Sequence, residues 1–85
     1  MDSTVSDWFL YILECRDGTF YTGITKDLEQ RLQKHNEGVA SKYTRVRLPV
    51  KLIYQESGFD YSRALKRERE VKALSRREKE ALLSK

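Results

Sequence analysis

The sequence predicts an α+β domain of the α/β sandwich type with the element order β-β-α-β-α-α, and three observations carry that prediction. Residues 8–15 are a nearly continuous run of apolar, aromatic and β-branched side chains, which is typical of a strand covered on both faces. The turn sequence Arg16-Asp17-Gly18 joins that run to a second strand at residues 19–24, so the two strands form a hairpin. The later segments carry helix-start and helix-stop signals, with one short apolar run between them.

The first helix follows the hairpin directly. Thr25 or Asp27 caps its start, and Asp27 with Gln30 three residues later resembles a capping box. The helix runs to about Glu37, because Gly38 is a typical helix stop.

The second half of the chain begins with a basic loop at residues 39–49. Pro49 opens a short strand at residues 50–54, and Ser57-Gly58 is predicted to be a turn. A second helix covers about residues 60–74. The capping-box sequence Ser75-Arg76-Arg77-Glu78 then starts a last short helix that runs to the end.

Length and composition indicate one small globular domain. The chain has 85 residues, of which 39% are hydrophobic and 11% aromatic, enough for a core and too many for a disordered tail. We expect residues 1–7 to be frayed and residues 8–85 to form a single domain. There is no signal peptide and no apolar stretch of membrane length, so the predicted location is the cytoplasm, away from membranes.

Charge and metal-ligand counts limit the function classes. The net charge of +4 suits a polyanionic partner such as nucleic acid, although ordinary solubility also explains a charge of this size. The single cysteine, Cys15, and the single histidine, His35, exclude an intramolecular disulfide and a cysteine- or histidine-rich metal site.

The first helix carries charged residues where a core stripe is expected. Leu28 and Leu32 stand one helical turn apart, and the same stripe passes through Arg31 and His35. In a structural interpretation, Arg31 lies at the border of the stripe and keeps its guanidinium in water, and His35 is simply a residue at the end of the helix. The functional interpretation places both side chains in a polar site.

The second helix gives a sharper signal. Its apolar stripe runs through Ala64, Leu65, Val71 and Leu74, and Glu68 lies in the middle of it. A carboxylate there is costly unless it is paired or binds a cation. Glu68 is therefore either in a structural ion pair, with Arg31 or Lys72, or a metal ligand or catalytic carboxylate.

Two tyrosines stand on the hairpin strands, and the turn decides whether they share a face. A two-residue Asp17-Gly18 loop puts Tyr11 and Tyr21 on opposite faces. A three-residue loop, with Gly18 in the left-handed conformation, pairs Cys15 with Thr19 and puts both tyrosines on one face. We predict the second arrangement, because a shared polar site requires it; the alternative is that both are core aromatics.

These residues, taken in order, resemble the motifs of the GIY-YIG nuclease superfamily. The matching segments are Leu10-Tyr11-Ile12, Tyr21-Thr22-Gly23, Arg31 and residues 64–68, and the similarity covers roughly residues 8–84. Within the superfamily the sequence is similar to the small stand-alone bacterial branch (YhbQ-like proteins). The resemblance implies a small three-stranded antiparallel sheet flanked by helices. The first motif lacks its glycine, and Ile24 replaces a lysine found in some branches, with Lys26 close by.

The resemblance also implies roles for individual residues. Tyr11 corresponds to the proposed general base, Tyr21 to the second-motif tyrosine and Arg31 to the arginine that contacts the scissile phosphate. Glu68 corresponds to the ligand of one divalent ion, Mg²⁺ or Mn²⁺, and His35 to a histidine of the closer branch. Tyr11, or His35 by proton relay, is expected to deprotonate the attacking water.

The basic loop is the predicted nucleic-acid contact. It alternates cationic and aromatic groups, which suits backbone tracking and base stacking, although a solvated loop has the same composition. The predicted contact residues are Lys26, Lys42, Tyr43, Thr44, Arg45 and Arg47.

The sequence as a whole favours a metal-dependent endonuclease that acts in DNA processing or repair, with DNA preferred over RNA. The alternatives are a nucleic-acid-binding module without turnover and a protein-interaction adaptor. A protein partner is left open, and a monomer is the default expectation.

Overall fold

The computed structural model describes residues 6–84. The strands are β1 (Trp8–Glu14), β2 (Phe20–Thr25) and β3 (Lys51–Phe59), which form one antiparallel sheet in the order β2-β1-β3. The helices are α1 (Leu28–Asn36), α2 (Lys42–Arg45), α3 (Tyr61–Lys72) and α4 (Arg76–Leu83). The predicted fold class, three-stranded sheet and main element order are confirmed.

The hairpin has the three-residue turn that the sequence predicts. The Cys15 amide donates to the carbonyl of Thr19 at 2.8 Å, and Gly18 has a φ of +85°, which favours glycine. Leu13 therefore pairs with Tyr21, and Tyr11 with Gly23. Because side chains alternate along a strand, Tyr11 and Tyr21 lie on the same face of the sheet.

Helices cover both faces of the sheet. On one face, Tyr11 and Leu13 of β1 pack with Leu28 and Leu32 of α1. On the other face, Leu10 and Ile12 of β1 pack with Val71 of α3, and Leu82 of α4 joins them. The nearly continuous apolar run of β1 follows from this central, doubly covered position.

The predicted caps are present. The Asp27 carboxylate accepts from the Gln30 amide at 3.0 Å and so starts α1. Ser75 and Glu78 form a reciprocal capping box at the start of α4. One contact was not predicted: the Asn36 side chain bonds both the amide and the carbonyl of Val50, and fixes the end of α1 beside β3.

Two segments differ from the prediction. Residues 39–49 are not entirely loop, because Ser41 caps the short helix α2. Ser57-Gly58 is not a turn either, since β3 continues to Phe59 with Gly58 at a φ of +88°. Trp8 pairs with Phe59 but Leu10 pairs with Glu56, so β3 carries one extra residue there. The glycine marks a β-bulge, which has the same conformational requirement as a turn.

The chain start was predicted to fray. Residues 1–5 lie outside the described residues, while Asp7 makes a 3.7 Å ion pair with Lys26. Within residues 6–84, no helix is long and apolar enough to span a bilayer.

Candidate active site

The candidate site lies along β2, which is an edge strand of the sheet. Gly23 is the cross-strand partner of Tyr11, and a Cβ placed on it would lie 2.5 Å from the Tyr11 hydroxyl oxygen. The glycine therefore leaves the space that the Tyr11 ring occupies above β2. The second-motif glycine has a steric role that follows directly from this contact.

A chain of hydrogen bonds starts at the Tyr11 hydroxyl. The Tyr11 oxygen lies 2.9 Å from Nε2 of His35, and Nδ1 of His35 lies 2.8 Å from Oγ1 of Thr44. The Thr44 hydroxyl in turn donates to the carbonyl of Ser41 at 3.4 Å. Tyr11, His35 and Thr44 are 3%, 1% and 0% exposed, so the chain is buried and keeps only a small exposed area, chiefly at Tyr11.

One histidine tautomer satisfies every partner in this chain. With the Thr44 hydroxyl donating to the Ser41 carbonyl, the Thr44 oxygen is the acceptor for Nδ1–H of His35. Nε2 is then the unprotonated nitrogen and accepts from the hydroxyl of Tyr11. A neutral imidazole is thus aligned with its lone pair on the Tyr11 proton.

The surroundings keep both partners neutral. Burial, and then the charge of Arg31, lower the pKa of His35 from 6.5 to about 4. Burial is also the main reason that the pKa of Tyr11 is raised well above its usual 10. The neighbouring Tyr21 and Glu68 add to that increase, and Arg31 opposes it. The charge of Arg31 favours the phenolate, but burial outweighs it, so Tyr11 is a phenol at neutral pH.

Arg31 and Glu68 reach this site from opposite faces of the sheet. Arg31 belongs to α1 and Glu68 to α3, and both charges act on the Tyr11 hydroxyl. The Glu68 side chain is 19% exposed and lies 3.3 Å from Nζ of Lys72. Of the two structural partners considered for Glu68, the structure therefore has Lys72. Within residues 6–84 the Arg31 guanidinium has no hydrogen-bonded or ion-paired partner.

Tyr21 joins the buried chain to the surface through aromatic contacts. Its ring centroid lies 6.4 Å from that of Tyr11 and 5.1 Å from that of His35. It also stacks on Tyr43 of α2, at 6.1 Å and 25°. The Arg47 guanidinium packs on the Tyr43 ring at 3.9 Å and pairs with Asp17 at 3.1 Å. These contacts hold α2 and its Thr44 against the hairpin.

The donor set suits a loosely held divalent ion rather than a closed metal centre. In the part of the chain that the structure describes, no three His, Cys, Asp or Glu side chains lie together as a metal-binding group. Glu68 contributes one partly buried carboxylate. Magnesium keeps several waters and often binds through one or two carboxylates and the substrate phosphate, so a single glutamate fits that ion.

The predicted nucleic-acid contacts separate into four groups. Lys42 and Arg45 are exposed on α2, whereas Lys26 lies apart from them, beside Trp8. Thr44 is fully buried against His35, so it is not on a surface that nucleic acid could touch. Tyr43 and Arg47 are occupied with each other and with the hairpin.

Comparison with known proteins agrees with this geometry. The sequence model of the GIY-YIG catalytic domain matches residues 7–81. A UPF0213 protein of Staphylococcus saprophyticus is 51% identical over 89% of this chain and 93% of its own length. A UPF0213 protein of Staphylococcus aureus is 51% identical over 88% of this chain and 92% of its own length.

Two solution structures share the fold. The structure of a UPF0213 protein from Bacillus halodurans has a TM-score of 0.59 and 47% identity, and covers 91% of this chain and 82% of its own. The structure of a protein from E. faecalis has a TM-score of 0.62 and 41% identity, and covers 99% of this chain and 88% of its own. The chain therefore belongs to the GIY-YIG family, as its ordered motifs predicted.

Proposed function

We propose that the protein is an endonuclease that hydrolyses phosphodiester bonds in nucleic acid with the help of one divalent ion. The observation that carries the proposal is the buried Tyr11–His35–Thr44 chain, whose first hydroxyl lies within the electrostatic range of Arg31 and Glu68. A proton acceptor, a cation that has no partner among residues 6–84 and a carboxylate on one edge of the sheet are the groups that phosphodiester hydrolysis requires.

Arg31 is the proposed phosphate ligand. Its guanidinium is left without a protein partner within residues 6–84, and its planar fork of donors matches two phosphate oxygens. Negative charge grows on those oxygens as water attacks phosphorus. Arg31 therefore stabilises the transition state more than the bound substrate.

Tyr11 and His35 are the proposed route for the proton of the attacking water. The water gives its proton to the Tyr11 oxygen while the Tyr11 hydroxyl proton passes to Nε2 of His35. The water oxygen bonds to phosphorus as the P–O bond of the leaving group breaks, and the leaving oxygen takes a proton from solvent. His35 is left as an imidazolium that Thr44 holds through Nδ1–H. The relay needs no free phenolate, so it is compatible with a Tyr11 whose pKa burial has raised.

Glu68 is the residue that would hold the divalent ion, Mg²⁺ or Mn²⁺. Such an ion would supply positive charge that offsets the negative charge developing on the phosphate and on the leaving oxygen. Lys72 competes for the same carboxylate at 3.3 Å, but its side chain is 54% exposed and free to turn into water.

The substrate in this proposal is DNA in preference to RNA, in DNA processing or repair, with the protein acting as a monomer in the cytoplasm. The net charge of +4 and the exposed Lys42 and Arg45 supply sequence-independent attraction to phosphates. The free, buried Cys15 thiol is compatible with a reducing compartment.

The Glu68–Lys72 pair favours one alternative, a nucleic-acid-binding module without turnover. If Lys72 fills the place of the ion, the site binds phosphate and does not cut. Lys72→Ala separates the two functions, because it raises cleavage at low Mg²⁺ when the lysine only competes with the ion.

Cleavage assays test the proposal. Plasmid, branched DNA and RNA are incubated with the protein in Mg²⁺ or EDTA, beside Glu68→Ala and Arg31→Ala. Glu70→Ala is the matched control, since Glu70 is on the same helix but exposed and paired with Arg67. The endonuclease is supported if cleavage depends on the metal ion, is lost in both site variants and is kept in Glu70→Ala. Salt-sensitive binding without cleavage supports the binding module, and no binding at low salt supports an adaptor.

A further inference from the structure

We propose that Trp8, Tyr61 and Lys26 form a binding site for an unpaired base of the substrate strand, next to the candidate active site. We call the two contacting rings of Trp8 and Tyr61 the Trp8–Tyr61 platform. The inference rests on the proposed function for the identity of the substrate, and it adds a substrate preference: nucleic acid with a single-stranded segment beside the cleaved bond.

Tyr61 of the platform has an exposure that the core does not explain. The rings of Trp8 and Tyr61 lie 4.8 Å apart at 52°. Tyr61 is 54% exposed and belongs to neither of the two core clusters. A large aromatic ring held by a second ring, with more than half of it in water, offers its free surface for stacking.

Lys26 supplies a cation beside the rings. Its Nζ lies 5.7 Å from the Trp8 ring centroid, and its side chain is 60% exposed. The 3.7 Å pair with Asp7 joins two well-solvated groups, and pairs of this kind contribute little to stability. Lys26 can therefore exchange Asp7 for the phosphate of the nucleotide whose base lies on the rings.

Two independent paths give the distance to the candidate active site. Trp8 is three residues before Tyr11 on β1, about 10 Å along an extended strand, and its ring lies on the α3 face of the sheet, the face from which Glu68 approaches. Tyr61 is seven residues before Glu68 on α3, which is about 10 Å along a helix and on the same helical side. Stacked nucleotides rise about 3.4 Å each, so the platform takes a base about three nucleotides from the cleaved phosphate.

The chemistry of the platform selects an unpaired base. In a duplex the faces of a base are covered by its stacked neighbours, whereas a single strand can turn a base out onto an aromatic ring. Two rings and one cation match one base and one phosphate. The charge of Lys26 and the net charge of +4 both fit that polyanion.

The single tryptophan gives a direct readout. Trp8 is the one tryptophan of the chain, so its fluorescence reports this site alone. Oligo(dT) and a fully paired duplex with hairpin-closed ends are titrated into the protein in EDTA, without cleavage. We expect oligo(dT) to quench Trp8 and the closed duplex to leave its emission unchanged.

Variants separate stacking from general attraction. Tyr61→Ala should weaken oligo(dT) binding about tenfold, because base stacking on an aromatic ring is lost, and Tyr61→Phe should bind as the wild type does. Lys26→Gln should reduce the salt dependence of binding by about one phosphate contact. Val39→Ala is the matched control, since Val39 is another exposed apolar residue, 68% exposed.

The results distinguish this inference from the proposed function. Unchanged oligo(dT) affinity in Tyr61→Ala, equal quenching by the closed duplex, or no quenching by either ligand would overturn the platform. If the wild type still shows metal-dependent cleavage alongside any of these outcomes, the proposed endonuclease function would stand. Tyr61-dependent quenching without cleavage would keep the platform and refute the endonuclease.

Discussion

Gly23→Ala is the substitution whose effect follows most directly from the structure. The added Cβ would lie 2.5 Å from the Tyr11 hydroxyl oxygen and 2.6 Å from its Cζ, closer than van der Waals contact allows. The Tyr11 ring must move, and its 2.9 Å hydrogen bond to Nε2 of His35 cannot survive a displacement of that size. The substitution therefore disrupts the proposed proton relay without changing any residue of the relay.

The expected cost combines two terms. Overpacking a core typically costs about 1–3 kcal/mol. Leaving the buried imidazole nitrogen of His35 without its partner costs about 1–3 kcal/mol more, so the free energy of unfolding should fall by about 2–6 kcal/mol. Urea denaturation measures this change, and the metal-dependent cleavage assay measures the loss of activity, which we expect to be at least tenfold.

Two controls make the interpretation specific. Gly58→Ala places an alanine at a φ of +88° with no atom within 4 Å, so it should cost about 1 kcal/mol of stability and leave cleavage intact. Tyr11→Phe in the Gly23→Ala background should not restore stability, because Cζ at 2.6 Å remains in conflict. A Gly23→Ala protein with wild-type stability and activity would refute the proposed packing of Tyr11 over β2.

Three further predictions concern the buried chain. Thr44→Val keeps the volume but leaves Nδ1–H of His35 unsatisfied, so urea denaturation should show a loss of about 1–3 kcal/mol and cleavage should slow, whereas Thr44→Ser should restore both. Because the pKa of His35 is about 4 in the fold and 6.5 when the imidazole is free in water, the unfolded chain binds the proton first on acidification. The free energy of unfolding should fall by at most about 3 kcal/mol between those pH values, and His35→Gln should flatten the profile. The raised pKa of Tyr11 means that the phenol of the unfolded chain ionises first on the alkaline side, so the free energy of unfolding should fall above about pH 10. In the folded protein Tyr11 does not ionise near that pH, so Tyr11→Phe should leave the number of phenols seen in an ultraviolet titration there unchanged.

Local signals in the sequence were sufficient to predict the hairpin geometry. The three-residue turn follows from Gly18, which tolerates a positive φ, and from the requirement that Tyr11 and Tyr21 share a face. The caps at Asp27 and Ser75 were predictable for the same reason, since the residues that bond to each other are three apart.

Tertiary contacts were not predictable in the same way. Thr44 looks like a member of a solvated basic loop, and only the docking of α2 against α1 brings it to His35 and buries it. Gly58 shows the complementary problem, because a turn and a bulge both require a positive φ, and only pairing with β1 distinguishes them. The charged position of Glu68 in an apolar stripe was visible, but its pairing with Lys72 was one of two alternatives until the structure was known.

Paramagnetic relaxation by Mn²⁺ is the most direct test of the central claim that α1 and α3 bring Arg31 and Glu68 to one phosphate beside Tyr11. The ion is added to ¹⁵N-labelled protein with a nuclease-resistant oligonucleotide. We expect broadening of amide signals around Glu68 together with Gly23 and Arg31 across the edge strand, and the loss of this broadening in Glu68→Gln. Broadening confined to α4, or unchanged in Glu68→Gln, would contradict it.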